Sequence, residues 1–546
     1  MTTRIKVRHD TATNWSNANP TLALGEPGFE TDTNRVKYGD GTTAWNSLQY
    51  TGAGANSNGS VYIGDQAGQS SQGAEDAIGI GYQAGRNCQS CGTVAIGYRA
   101  GECCQNFHSV AVGNYAGRNN QRYVAVAIGR SAGACCQAIG AVAVGHLAGQ
   151  QCQGYHATAV GRASGRYCQS ECSVAVGSYA GQYDQGHGPW SSGGAVAIGA
   201  YAANCCQQYH AVAIGRCAGN CSQQFSAIAI GRSAGRQQQG HGAVAVGKLA
   251  GYNHQSYNAV AVGNYAGRYY QGCESVAVGY YAGDCEQGCG AVAVGVYAGE
   301  CSQKCHAVAI GACAGNNNQA WVATAIGRSA GACSQGPSAI AIGHVAASCC
   351  QGVGAVAVGS YSGRYSQGQD SVAVGHSAGK CHQGNYAVAI GYEAGQGAGP
   401  LTVGYVSGDG ANTITVDNTN SIYPGMYIGA AQTGNPTTDG TVTISSVSGN
   451  DITFNAPLGN TDPISGSIGF FGHQGNAAIA IGAGAAYGAQ HPNSIVISAS
   501  EFGANSAGAN TTVIQTLRTV SGGTVPGGFS PVYYNNVTGE LIVVTP

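Results

Sequence analysis

The chain has 546 residues, of which 8% are charged and 91 are glycine, and its formal net charge is −2 at pH 7. A nearly neutral chain has no basic surface to attract nucleic acid or an anionic membrane, so we expect neither as a partner. The first residues include no apolar signal segment, and the sequence has no apolar run of 18 residues. It therefore predicts neither a Sec signal peptide nor insertion into a membrane.

Residues 1–52 make up the first predicted domain. Short strands joined by D-T-N and G-D-G turns are expected between Leu22 and Leu48. The spaced signature G-E-x-x-x-x-T-D-T-x-x-x-K-x-G-D-G-x-T-x-W-x-x-L is met by Gly25, Glu26, Thr31, Asp32, Thr33, Lys37, Gly39, Asp40, Gly41, Thr43, Trp45 and Leu48. This stretch resembles the N-terminal module of phage tail-fibre and related virion proteins. The resemblance implies that this end of the chain joins the virion baseplate or tail.

A sixteen-residue word, V-A-V/I-G-x-x-A-G-x-x-x-Q, fills residues 53–396 about 21 times. A repeat this short cannot bury its own apolar face, so successive copies must stack as the coils of a parallel β-solenoid. Each coil adds about 4.8 Å, which predicts an all-β rod roughly 95 Å long. Positions in a coil are numbered below from the repeated glycine, which is position 0.

Each coil is expected to contain a strand at positions −3 to −1, where Val or Ile flanks a central Ala. The two aliphatic side chains share one face of such a strand, and we expect that face to form the interior of the coil. The Ala would then face outward, either against a closely packed surface or as an exposed methyl group. Position +5, which holds many of the charged residues, is expected to face solvent.

Position +8 is Gln in twenty successive coils, a constancy that is not expected of an exposed position. Equivalent residues of stacked coils lie about 4.8 Å apart, which lets primary amides hydrogen-bond into a ladder. We therefore expect a continuous inward column of amides, with a ligand-binding stripe of glutamines as the alternative. The column includes Gln89, Gln105, Gln121, Gln137, Gln153, Gln169, Gln207, Gln223, Gln303 and Gln383.

All 23 cysteines lie within the repeats, between Cys88 and Cys381. They are interpreted either as small corner-filling residues or as disulfides. The candidate disulfide residues, spaced by four within a coil and by sixteen between coils, are Cys285, Cys289, Cys301 and Cys305. No metal site is expected, because the single CxxC motif at Cys88 has no second pair at the distance of a zinc ribbon. No cofactor is expected either.

Catalysis is considered through Asp284 and Glu300, which occupy position +5 of adjacent coils. Two carboxyls about 5 Å apart are the arrangement of a retaining glycosidase. Position +5 is, however, a general site for charged residues, and Arg268 precedes the two in the same column. We therefore expect no enzymatic activity, and a polysaccharide-degrading tail spike is the less favoured alternative.

The V-A-I-G word looks like the repeat of trimeric autotransporter adhesin heads, which are left-handed parallel β-rolls of three associated chains. This resemblance implies a homotrimer in which the face of the −2 Ala, or a neighbouring face, forms the contact between chains. The secretion signal and membrane anchor of those adhesins have no counterpart in this sequence, which argues against a self-exporting adhesin.

The remaining segments complete the predicted organisation. Residues 397–473 alternate Val, Ile and Thr between turns, and are expected to form a small inserted antiparallel β-domain that is either a receptor-facing lobe or a spacer. Residues 474–500 return to the repeat word, and residues 501–546 predict a C-terminal hairpin or strand. A six-residue insertion within the repeats carries Trp190, a candidate receptor contact.

Together these features predict a structural fibre protein of a phage virion, made in the host cytoplasm and acting outside the cell. Its partners would be further copies of itself as a homotrimer, the virion through residues 1–52, and a host cell-surface glycan or protein bound multivalently. An extracellular adhesin rod exported by another route is the alternative.

Overall fold

The structure is a computed structural model. It describes residues 6–48, 50–51, 58–70, 74–187, 193–396, 401–408, 413–416, 427–428, 444–448, 451–454, 467–471, 474–486, 490, 492–498, 512–514, 532–534 and 541–543. The chain divides into two compact units, Met1–Gln237 and Gln238–Pro546, which are considered one at a time. The candidate contact Trp190 lies outside the described residues.

The first unit begins with an N-terminal module built on a four-stranded sheet. Its strands, in order across the sheet, are β1 (Arg8–Asp10), β2 (Pro27–Glu30), β3 (Val36–Tyr38) and β4 (Tyr50–Thr51). Strands β1 and β2 are parallel, and the other two pairs are antiparallel. Helix α1 (Ala12–Ala18) and a 3-10 turn (Trp45–Ser47) bring Trp15 and Trp45 together, with ring centroids 4.1 Å apart in the core of the module.

Two kinds of short strand build the repeats. The aliphatic strands, at positions −3 to −1, are Val61–Ile63, Ile78–Ile80, Val94–Ile96, Val110–Val112, Val126–Ile128, Val142–Val144, Thr158–Val160, Val174–Val176, Val196–Ile198, Val212–Ile214, Ile228–Ile230, Val244–Val246, Val260–Val262, Val276–Val278, Val292–Val294, Val308–Ile310, Thr324–Ile326, Ile340–Ile342, Val356–Val358, Val372–Val374, Val388–Ile390, Ile479–Ile481, Ile495–Ile497 and Thr512–Ile514. The glutamine strands, around position +8, are Asn87–Gln89, Cys103–Gln105, Asn119–Gln121, Cys135–Gln137, Gln151–Gln153, Tyr167–Gln169, Tyr183–His187, Cys205–Gln208, Cys221–Gln223, Gln237–Gln239, Asn253–Gln255, Tyr269–Gln271, Cys285–Gln287, Asn317–Gln319, Cys333–Gln335, Cys349–Gln351, Tyr365–Gln367 and Cys381–Gln383.

Successive coils within each unit stack in parallel and in register. In the first unit Val110 pairs with Val126, and in the second Val276 pairs with Val292, so residues sixteen apart are direct neighbours. Across the six-residue insertion of the first unit, Val174 pairs in register with Val196. The pairing confirms the predicted all-β parallel β-solenoid.

The interior of the coils is the opposite of the predicted one. The central alanines of the aliphatic strands, such as Ala95 and Ala111, are fully buried, whereas the Val and Ile on either side are only half-buried or exposed. The prediction that the aliphatic pairs point inward is therefore wrong. The reason is the narrowness of the coil: a Cβ added at Gly101 would lie 2.4 Å from Oε1 of Gln105 and 3.2 Å from Cβ of Ala95.

The repeated glycine at position 0 is required by its backbone conformation and by its neighbours. Gly97 has a φ of 129°, and a Cβ on it would lie 2.7 Å from the carbonyl oxygen of Gly113 in the next coil. Positions +2 and +7 are also left-handed, yet they hold residues such as Tyr115 (φ 59°) and Cys136 (φ 55°). Glycine is therefore required at position 0, where neighbouring coils touch, while the left-handed positions +2 and +7 admit varied side chains.

In the second unit the chain leaves the solenoid and returns to it. Ile479 pairs in register with Val388, so the coil after the insertion stacks directly on the coil before it. The described strands between them form an antiparallel sheet, in the order Tyr427–Ile428, Ser467–Phe471, Leu401–Gly408, Thr413–Val416, Asp451–Phe454 and Ile444–Ser448. Nearer the C-terminus, Val532–Tyr534 pairs antiparallel with Leu541–Val543.

Helices play little part in the described structure. Among the residues that the structure describes, no helix has both the length and the apolar character needed to traverse a bilayer.

Candidate functional site

The glutamines of position +8 lie inside the coils, where their amides connect one coil to the next. In the first unit, Nε2 of Gln137 donates to Oε1 of Gln153 at 3.0 Å, and Nε2 of Gln153 donates to Oε1 of Gln169 at 3.2 Å. Nε2 of Gln153 also donates to the carbonyl oxygens of Val142 at 2.7 Å and Ala157 at 3.1 Å. The amide of Gln153 therefore ties the aliphatic strand of its own coil to the amide of the next coil. The buried members include Gln89, Gln105, Gln121, Gln137, Gln153, Gln169, Gln207, Gln223, Gln303 and Gln383.

The amide column is interrupted, in contrast to the predicted continuous ladder. Among the described residues, Oε1 accepts no hydrogen bond in Gln121, Gln207, Gln351 and Gln474. Gln207 is the first of these glutamines after the six-residue insertion, and Gln474 is the first after the inserted sheet. Two of the gaps thus coincide with insertions in the repeat sequence.

The Val and Ile side chains of positions −3 and −1 form an outward surface, here called the aliphatic face. In the first unit Ile128 is 41% and Ile198 38% exposed, and in the second Ile310 is 39% and Ile390 40% exposed. Because neighbouring strands are in register, these side chains lie in columns within each unit. Contiguous exposed aliphatic surface of this kind is typical of sites where another protein docks.

Position +5 carries ion pairs between coils in which the carboxylate is buried and the arginine is partly exposed, so the prediction that this position faces solvent is wrong for Asp284 and Glu102. Nη2 of Arg268 lies 2.8 Å from Oδ2 of Asp284, whose side chain is 4% exposed. Nε of Arg118 lies 2.7 Å from Oε2 of Glu102, whose side chain is 9% exposed. Burial raises the pKa of Asp284, and the charge of Arg268 opposes that rise. These ion pairs add a charged contact between neighbouring coils.

The carboxyls considered for catalysis have separate structural partners. Asp284 is paired with Arg268, while Oε2 of Glu300 accepts a 2.8 Å hydrogen bond from Nδ2 of Asn316. These contacts favour a structural role for both carboxyls. In the described part of the chain, no group of three or more His, Cys, Asp or Glu side chains is arranged to hold a metal ion.

The four candidate disulfide cysteines are free thiols. Cys285 and Cys301 face each other in a parallel bridge of adjacent coils. Burial, together with Asp284, raises the pKa of Cys285 to about 12. A hydrogen bond to Cys273 in the preceding coil raises the pKa of Cys289, and Cys305 adds to that rise. Disulfide formation by these residues stays a prediction.

A groove that the sequence analysis did not predict lies on the glutamine strands of the first unit. Its volume is ≈ 580 Å³. Nη1 of Arg122 donates to Oη of Tyr155 at 3.1 Å within it. Of the exposed aromatic residues at position +10, Tyr155 lines the groove and is 43% exposed.

The contacts within the N-terminal module explain part of the spacing in its sequence signature. Oδ1 of Asp40 accepts hydrogen bonds from the backbone N–H groups of Thr42 at 2.9 Å and Thr43 at 2.6 Å, and Oδ2 accepts one from Oγ1 of Thr43 at 2.6 Å. These bonds, the side-chain bond of Thr43 foremost, lower the pKa of Asp40. Nζ of Lys37 donates to the carbonyl oxygen of Trp45 at 2.8 Å and lies 4.8 Å from the centre of its ring. The D-G-x-T-x-W motif therefore forms a turn around Asp40, and its tryptophan contacts the buried cation of Lys37.

This module is also the part of the chain that comparison with protein families identifies. Comparisons of the whole chain with curated proteins and with solved structures find no match. The N-terminal module, which contains the lysine, aspartate and threonine contacts described above, does match a family model. Residues 5–43 match the family model described as the major tropism determinant N-terminal domain, which supports the resemblance to phage tail-fibre proteins.

Proposed function

We propose that the chain is a structural subunit of a phage virion fibre that mediates adsorption to the host surface. The observation that carries this proposal is the match of residues 5–43 to a tropism-determinant N-terminal domain, on residues that also resemble the tail-fibre module. In this proposal the N-terminal module joins the virion baseplate or tail. The repeats then suit a fibre, because a solenoid lengthens simply by adding coils.

Three copies of the chain associate through the aliphatic face in this proposal. The face places a pair of Val or Ile side chains on each coil, and Ile198 and Ile310 illustrate their exposure at 38% and 39%. A partner must offer apolar groups at the same spacing to cover such columns, and another copy of the chain does so by construction. Closed symmetric association of identical chains is the usual form of oligomer, and the resemblance to adhesin heads favours three.

The proposed activity is binding without catalysis. Asp284 and Glu300, the carboxyls closest in register to a glycosidase pair, are held by Arg268 and Asn316. Adsorption through three identical chains needs no strong single contact, because linked sites raise the effective affinity. The host partner in this proposal is a cell-surface glycan or protein, and a released polysaccharide fragment is not expected.

Immunogold electron microscopy of intact virions tests the proposal. Antibodies raised separately against residues 1–52 and against the repeats should both label the virion tail region, and the purified chain should compete with virions for adsorption. Label found on the bacterial surface and not on virions would instead support the exported adhesin. Release of reducing ends from purified envelope polysaccharide would contradict the non-catalytic assignment.

A further inference from the structure

The groove of the first unit is built from side chains on both sides of the buried glutamines. Asn120 and Cys136, at position +7, line it before the glutamine, and Asn106, Arg122 and Tyr155 line it after the glutamine. Because position +8 points into the coil, the residues at +7 and +9 flank an open channel on the outer surface. The channel continues over successive coils because those coils are stacked in register.

Small residues keep this channel open. Position +9 is Ala138 in one coil and Gly154 in the next, between the larger Arg122 and Tyr155. A Cβ added at Gly154 would lie 2.6 Å from the backbone nitrogen of Glu171, so this position cannot carry a side chain without displacement of the backbone. The guanidinium of Arg122 reaches past Ala138 to the hydroxyl of Tyr155.

The size of the groove indicates a small ligand. Its ≈ 580 Å³ falls within the range of about 300–1,000 Å³ that is typical of small-molecule sites. A stable protein partner needs a far more extensive contact, about 800 Å² on each side. The lining offers amides from Asn106 and Asn120, a phenol from Tyr155 and a guanidinium from Arg122, all of which hydrogen-bond to a ligand rich in hydroxyl groups.

The charge of the groove indicates which chemical group the ligand carries. Arg122 is the charged side chain among the described residues that line it. One of its N–H groups is used on Tyr155, and a guanidinium carries five, so it has donors left for a ligand. Guanidinium groups bind carboxylates with paired hydrogen bonds, which lysine or amide side chains do not reproduce.

We propose that this groove binds a short oligosaccharide that includes a carboxylated sugar, with Arg122 on the carboxylate and Tyr155 against the sugar ring. The proposal rests on the proposed adsorption function, for which it names the ligand class and the binding site. Asn106 and Asn120 hydrogen-bond to sugar hydroxyls in this arrangement. Binding by one chain is weak, and the copies of a trimer supply the avidity.

The test measures binding of the full-length chain to purified host envelope polysaccharide and to the same polysaccharide after chemical reduction of its carboxyl groups. The wild-type chain should bind the native form and bind the reduced form at least tenfold more weakly. Arg122→Gln, which removes the charge, and Ala138→Phe, which fills the groove, should each reduce binding to the native form at least tenfold.

Matched variants in the second unit control for effects on folding. Ala320 occupies position +9, and its backbone N–H donates to the next coil, to Gln335, as that of Ala138 donates to Gln153. Tyr257 occupies position +10 and is exposed like Tyr155. Ala320→Phe and Tyr257→Ala should therefore bind the polysaccharide as the wild type does, while Tyr155→Ala should weaken binding.

Three results would overturn the proposal. They are equal binding of the native and carboxyl-reduced polysaccharides, full binding by Ala138→Phe and Arg122→Gln, and cell binding that protease treatment of the cells abolishes, which would indicate a protein receptor. In each case the chain still binds cells, so the adsorption function stands while the assigned site fails. A wild-type chain that binds neither cells nor polysaccharide would instead contradict the adsorption function itself.

Discussion

Nε2 of Gln153 donates a 3.2 Å hydrogen bond to Oε1 of Gln169, its equivalent in the next coil. Gln153 is 2% exposed, and its amide also holds the carbonyl oxygens of Val142 and Ala157. In Gln153→Leu the buried Oε1 of Gln169 loses its donor and Nε2 of Gln137 loses an acceptor, and an unsatisfied buried polar group costs about 1–3 kcal/mol. We expect Gln153→Leu to lower the free energy of unfolding by about 3 kcal/mol, measured by urea denaturation and by hydrogen exchange of the peptides around residue 153.

The control for this prediction is in the same strand. Gln151 is exposed, two residues before Gln153, so Gln151→Leu should change the free energy of unfolding by less than about 0.5 kcal/mol. Equal effects of the two substitutions would show that the inward amide has no special role.

The ion pair between Arg268 and Asp284 should be required for stability near neutral pH. Arg268→Met would leave the Asp284 carboxylate, 4% exposed, without its cation. Breaking a buried pair on one side typically costs about 3–5 kcal/mol, and because Arg268 is partly exposed we expect about 2 kcal/mol. The loss should shrink in acid, since protonation of Asp284, whose pKa is raised, removes the unpaired charge.

Arg166→Met provides the matched comparison. The guanidinium carbon of Arg166 lies 4.6 Å from the ring centre of Tyr167, just as that of Arg268 lies 4.6 Å from Tyr269, but Arg166 contacts the neutral Gln150. Its loss of stability should be smaller than that of Arg268→Met and independent of pH between 3 and 7. A pH-independent loss in both variants would argue against the ion pair.

Because alanines fill the interior of the coil, substitution by Leu should change the free energy of unfolding by different amounts at neighbouring positions of one strand. Ala159 is fully buried, so Ala159→Leu should lower the free energy of unfolding by about 2 kcal/mol through overpacking. Val160, next in the strand, faces outward, so Val160→Leu should be nearly neutral. Thermal and urea unfolding of the two variants would measure the difference. The reverse order of stability would support the inward orientation of the aliphatic pairs.

The thiol of Cys285 should be slow to alkylate. Its pKa, raised to about 12 by burial and by Asp284, keeps it protonated at pH 8, whereas thiolate is the reactive form. Peptide mass spectrometry after brief iodoacetamide treatment should show less modification at Cys285 than at the exposed Cys136. Since the folded chain binds this proton more tightly than the unfolded chain, its contribution to stability is lost as the pH rises from 9.0 towards about 12.

The solenoid could be predicted because its repeat period can be read directly from the sequence. A glycine every sixteen residues defines the coil, and the structure has Val110 paired with Val126 as that period requires. The N-terminal module was likewise indicated by spaced residues such as Lys37 and Asp40, whose contacts depend on the chain between them. The spacing of residues along the sequence was therefore sufficient to predict the solenoid and to indicate the N-terminal module.

The direction of the aliphatic strands could not be predicted from alternation alone. Val94, Ala95 and Ile96 alternate equally well with either face inside, and the apolar character of Val and Ile favoured the wrong one. The deciding quantity is the space between strands, which depends on Gln105 filling the coil beside Gly101. The sixteen-residue period places Arg268 in the same column as Asp284, but it does not predict the burial of Asp284, because the frequent charges at position +5 indicated a solvent-facing site.

Sedimentation equilibrium of the wild-type chain and of Ile310→Lys/Ile326→Lys tests the central claim most directly. Ile310 and Ile326 are in-register neighbours on the aliphatic face, with 39% and 36% of their surfaces exposed. The wild type should sediment with the mass of three chains, and the double variant, in which charges interrupt the face, should sediment as a folded monomer. A monomeric wild type, or a double variant that remains trimeric, would contradict association through the aliphatic face.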